Sequence, residues 1–69
     1  MLDWREVVGR NVLRARQAAG FTQEQLALEA GLDLTYVGGI ERGKRNPTVL
    51  VLAKLAGSLG VEPSALLKP

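Results

Sequence analysis

The sequence contains no cysteine and no histidine. No disulfide can staple it, and no thiolate or imidazole can hold a metal. Only carboxylates are left as ligands, and none are spaced as a metal cluster requires. The missing thiols fit a reducing compartment. The aromatic residues are Trp4, Phe21 and Tyr36 alone. With 69 residues and no staples, the core must be thin, and such small domains lean on well-capped helices or on oligomerisation. Long apolar runs are missing too. The longest aliphatic stretch, Val49 to Ala53, is far too short for a bilayer. The opening Met1-Leu2-Asp3-Trp4-Arg5-Glu6 is charged and has no apolar signal region behind it. The expectation is a single domain over residues 1–69 that works in the cytoplasm and away from membranes.

Charge of one sign is missing from the middle of the chain. Between Gln17 and Glu41 there is no Lys or Arg, only Glu24, Glu29, Asp33 and Glu41. Arg5, Arg10, Arg14 and Arg16 precede this stretch, and Arg42-Gly43-Lys44-Arg45 follows it. A polyanion would be held by the ends of this pattern; the same pattern also fits a mixed, solvated surface.

No segment alternates with period two, so no strand is expected, and turn residues separate helical patterns. Five helices are predicted, at about residues 3–19, 23–30, 34–41, 49–59 and 63–67. In the first, Asp3 and Glu6 have capping-box spacing. Trp4, Val8, Val12, Ala15 and Ala19 form its apolar face, and Gly20 closes it. Thr22 with Gln25 caps the second helix, which Gly31 stops. Asp33 caps the third, which ends at Gly43, and Thr48 caps the fourth. Pro63 suits the first position of the fifth. The pairs Phe21/Leu26, Leu32/Val37 and Val61/Leu66 stand at hydrophobic-staple spacing. Gly38 and Gly39 lie inside the third helix, where each costs about 1 kcal/mol relative to alanine. Such local conflicts tend to mark functional or tightly packed positions.

The second and third helices are joined by a very short connection at Gly31-Leu32-Asp33. Ala27 is small enough for a close crossing, and Val37 and Ile40 supply the buried face of the third helix. This is a helix-turn-helix spacing, in which the second helix of the pair is offered to the major groove of DNA. An ordinary helical hairpin shares it.

The motif Phe21-Thr22-Gln23-Glu24-Gln25-Leu26-Ala27 stands first. Tyr36-Val37-Gly38-Gly39-Ile40-Glu41-Arg42-Gly43-Lys44-Arg45-Asn46-Pro47 follows, with Leu52-Ala53-Lys54-Leu55-Ala56 and Leu59-Gly60-Val61 after it. Together they resemble the Cro/repressor-type helix-turn-helix family, the xenobiotic-response-element group. The resemblance covers Val8 to Leu67 and implies an all-α, five-helix, lambda-repressor-like domain. It also implies a small transcriptional regulator that binds double-stranded operator DNA as a homodimer. The Tyr36 to Gly43 string points toward the controllers of restriction–modification systems within that group.

Carried over by position, Leu34, Thr35, Gly38 and Gly39 fall on base-reading positions. Here the sequence departs from the pattern, because Leu34 offers only an apolar contact and the glycines offer no side chain. The glycines either let the helix approach DNA closely or relieve crowding. Gln23, Tyr36, Arg42, Lys44, Arg45 and Asn46 fall on phosphate-contacting positions. Gln23 also fits a plain helix-start residue, and Tyr36 a partly buried core tyrosine. The resemblance pairs Arg16 with Glu41 as a structural ion pair; Arg10 and Arg14 read as surface charge. Leu50, Val51 and Leu67 are left outside the inward stripes and are the expected dimer interface. Two copies would then present their third helices roughly 34–36 Å apart, one turn of DNA. The alternative is a protein-interaction module of the same fold, an antitoxin or coactivator. Without His, Cys, a phosphate-cradling loop or paired carboxylates, no enzyme, cofactor or small-molecule effector is expected.

Overall fold

The computed structural model describes residues 1–69 and is entirely helical, with no strand. Four α-helices run in chain order: α1 (Trp4–Ala18), α2 (Gln23–Ala30), α3 (Leu34–Glu41) and α4 (Val49–Leu59). Residues Pro63–Leu67 form a 3-10 helix.

The predicted fifth α-helix is therefore corrected to a 3-10 turn. Five residues barely close one turn, and short segments favour the tighter i to i+3 bond; here the Ala65 N–H donates to the Glu62 carbonyl at 2.9 Å. Glu62 offers no side-chain cap. The far end is held from outside the segment. The Asn11 side-chain amide donates to the carbonyls of Leu66 at 3.0 Å and Lys68 at 2.8 Å.

Caps set the helix limits. Thr22 and Gln25 form the reciprocal capping box, the N-terminal signature of α2. Asp33 accepts from the backbone of Thr35 and Tyr36, and Thr48 from Val51. The first cap differs from expectation. Asp3 accepts from the Arg5 N–H and pairs with its guanidinium at 3.3 Å, so no box forms with Glu6. The Arg5 side chain is the main cause holding the Asp3 carboxyl below its ordinary pKa.

The core is one cluster of twelve residues, among which Val12, Leu26, Val37, Ile40, Leu55 and Leu66 are almost wholly buried. Each such side chain contributes roughly 1.5–3 kcal/mol through removal from water. Phe21, Leu32 and Val61, the outer members of the three predicted staples, pack on this cluster. The α1 face is rotated from the expected one. Val7 and Gly9 are buried with Val8 and Val12, whereas Trp4 is 50% exposed and Ala19 faces solvent.

Gly9 explains the rotation. A Cβ there would lie 2.4 Å from the Ile40 carbonyl oxygen and 2.8 Å from that of Glu41. The backbone of α1 thus touches the C-terminal turn of α3, an approach only glycine permits. Alanine at this position gains about 1 kcal/mol of helix propensity but forces two rigid backbones apart, at a cost of roughly 1–3 kcal/mol. Gly9→Ala is expected to lower the urea midpoint. Gly57→Ala, where nothing lies within 4 Å, is expected to raise it; equal midpoints would contradict the close contact.

Candidate nucleic-acid interface

The turn between α2 and α3 is built by three residues. Gly31 takes a left-handed backbone, φ +68°, which lets the Leu32 N–H return to the Ala27 carbonyl at 2.8 Å. Asp33 then starts α3 with its carboxylate on the N–H groups of Thr35 (2.8 Å) and Tyr36 (3.3 Å). Val37 and Ile40 point into the core and are 0% and 1% exposed. The opposite side of α3 therefore faces outward, with Leu34 43% exposed and Thr35 exposed.

The structure brings Arg16 and Glu41 together. Arg16 donates from Nε to Glu41 Oε2 at 2.6 Å, from Nη2 to Oε1 at 3.1 Å and from Nη1 to the Phe21 carbonyl at 2.9 Å. The side chains are only 14% and 4% exposed. Gln23 joins them, its Nε2 donating to Glu41 Oε1 at 2.8 Å. Sequence reading sent Gln23 outward; its amide nitrogen is instead engaged within the protein. A carboxylate can only accept, so the amide orientation is fixed and Oε1 is the end left over.

Gly38 and Gly39 also differ from expectation. Both are buried, because arginines from beyond the helix lie over them. A Cβ at position 38 would be 3.1 Å from Arg42 Nη1, and one at position 39 would be 2.7 Å from Arg45 Cγ. Helical side chains lean back over the preceding turn, so Arg42 settles on the residue four before it. The guanidinium of Arg45 sits 5.4 Å from the ring centre of Tyr36, itself half-buried against the core. The glycines are seats for arginine stems rather than open backbone.

Arg42, Lys44, Arg45 and Asn46 are exposed. No carboxylate lies within 4.0 Å of the three cations; the only ion pairs are Arg5–Asp3 and Arg16–Glu41. Three unpaired cations beside an outward helix face suit an anionic partner. No three His, Cys, Asp or Glu gather as a metal site would need.

Of the expected interface residues, Leu50 is 76% and Leu67 44% exposed, but Val51 is half-buried against the core and largely unavailable. Sequence reading missed Val49, 79% exposed. It shares a groove with Leu67, Trp4 and Pro47. The signal was present in the unbroken apolar run from Val49, since a helix cannot turn every residue of such a run inward.

Comparisons with known proteins agree with this geometry. The model of a helix-turn-helix family matches residues 12–66. The chain is 43% identical over 68 residues to the HTH-type transcriptional regulator y4dJ of Sinorhizobium fredii, covering 99% of this chain and 88% of that one. Among solved structures, the restriction–modification controller protein C.AhdI of Aeromonas hydrophila superposes with a TM-score of 0.87 at 44% identity, over 90% of this chain and 94% of that one. The controller C.Esp1396I, solved as a tetramer with its natural 35 base-pair operator, superposes with a TM-score of 0.83 at 35% identity, over 91% and 83%.

The buried pair makes a sharp prediction. Removing one partner strands the other charge, at a cost of about 3–5 kcal/mol. Glu41→Ala is expected to unfold at much lower urea than the wild type, and Arg16→Met together with Glu41→Leu to recover part of the loss. A Glu41→Ala midpoint within error of the wild type would contradict the pair's structural role.

Proposed function

Because the chain belongs to the helix-turn-helix family of the Cro and repressor type that its residues 12–66 match, we propose that it is a sequence-specific double-stranded-DNA-binding transcriptional regulator. It acts as a homodimer on an inverted-repeat operator, and its role is binding rather than catalysis. The observation that carries this reading is the outward face of α3 bordered by Arg42, Lys44 and Arg45, none with a carboxylate partner. In this reading α3 enters the major groove. Lys44, Arg45 and Asn46 hold the phosphates beside it, and Tyr36 supports Arg45 from below. Gln23 lies at the first turn of α2, where a helix N-terminus favours a phosphate. Thr35 offers a hydroxyl and Leu34 an apolar surface to the base edges.

Dimerisation is supported by Val49, Leu50 and Leu67, 79%, 76% and 44% exposed. A monomer this small has no reason to leave such side chains in water, and apolar patches of this kind mark interfaces. The restriction–modification controllers among its relatives suggest an autoregulated control gene as the setting. No helix is long and apolar enough to cross a membrane, and operator binding implies a cytoplasmic site of action. The second reading, a protein-interaction module, draws on one feature. Leu28, 83% exposed, shares an open groove with Leu32, Leu34 and Glu24.

Selection from random duplex DNA tests the proposal. An inverted repeat with half-site centres one turn apart, roughly 34–36 Å, is expected; recovery of no motif would favour the second reading. Lys44→Ala should weaken binding to every duplex alike. It should also flatten the slope of log affinity against log salt by about 0.9, which fluorescence anisotropy across a salt series reads directly. An unchanged slope would remove Lys44 from the phosphate grip.

A further inference from the structure

The outward face of α3 has a position but few side chains with which to read DNA. Leu34 has no polar atom, Thr35 carries a single hydroxyl, and Gly38 has no side chain. At 3.6 residues per turn, Leu34, Thr35, Gly38 and Arg42 fall within an arc of about 100°. Arg42 continues the helical backbone, with φ −86° and ψ 0°. Its guanidinium occupies the space above Gly38: a Cβ there would lie 3.1 Å from Nη1 and 3.9 Å from Cζ. Gln23 Oε1 lies 3.6 Å from the same point. The Gln23 amide is fixed through Glu41 (2.8 Å), so the guanidinium has a rigid acceptor beside it.

We propose that Arg42 is the specificity-determining base reader of this chain, its guanidinium standing in for the side chain that Gly38 lacks. This rests on the reading of α3 as the helix in the major groove. It departs from the phosphate role that the position has by resemblance. A guanidinium fork matches the O6 and N7 acceptors of guanine and no other base edge in the major groove as well. Arg42 has no carboxylate partner to hold it back. Alanine or a larger residue at position 38 would take up the space the fork occupies, so glycine there and arginine at 42 act as one unit. Arg45 differs. Its stem crosses Gly39, and its guanidinium lies over Tyr36, outside this arc. It stays with the phosphates.

The test uses the full chain and three variants, Arg42→Ala, Arg42→Lys and Gly38→Ala, each checked for wild-type helicity by circular dichroism. An operator is selected with the wild type, and affinities are measured for it and for every single-base replacement. The wild type should require guanine at one position in each half-site. Arg42→Ala should lose that preference alone, with affinity for the selected operator falling roughly tenfold to a hundredfold. Arg42→Lys keeps the charge without the fork and should not restore it. Gly38→Ala should weaken the preference at the same position. Equal weakening of all sequences by Arg42→Ala with an unchanged motif would overturn the proposal and leave a phosphate contact. So would full recovery by Arg42→Lys. A wild type that yields no motif would remove the DNA-reading premise and the proposal with it, a result distinct from either of these.

Discussion

The orientation of α3 depends on the buried contact between Arg16 and Glu41. Apolar packing alone would leave freedom here, since Val37 and Ile40 could slide over Val12 and Leu26 with little change in buried area. The ion pair removes that freedom. Three donors of Arg16 are used on Glu41 and on the Phe21 carbonyl, so the end of α1, the turn before α2 and the last residue of α3 meet at one point. Taking both charges out of water offsets most of their attraction, and the pair adds little net stability. What it supplies is geometry. Gly9 completes the restraint by holding α1 and the end of α3 at backbone contact.

Most of the fold was legible because its signals are local. Thr22, Asp33 and Thr48 cap their helices, and Gly20, Gly31, Gly43 and Gly60 take positive φ just beyond the helix ends. These signals need only a few residues of context, as do the staples. The rest depended on partners far along the chain. Val61 and Leu66 showed that the C-terminal segment packs, but its hydrogen bonds are settled by Asn11, 55 and 57 residues away. The α1 face was misjudged at Trp4 because periodicity treats Gly9 as neutral, whereas its bare backbone decides which side of the helix turns inward.

The candidate site was legible as a set of positions and less so as a surface. Family resemblance placed Gln23, Tyr36 and the Arg42 to Asn46 turn on one edge. It could not show that Gln23 is committed to Glu41 or that Arg42 and Arg45 fold back over glycines. Both outcomes are competitions between solvent and a nearby partner, and a linear pattern carries no record of them. Val51 failed as an interface residue for a similar reason: the core had room for it.

The division between the two sides of α3 bears on how such a protein changes over generations. Leu34, Thr35 and Gly38 take no part in the core cluster, while Val37 and Ile40 belong to it. Mutations on the outer side are therefore nearly silent for folding and can be retained or lost according to the partner alone. A lineage can move to a new target through a handful of codons without passing through misfolded ancestors. Two copies of the gene in one cell can diverge on that side until they no longer compete for the same target.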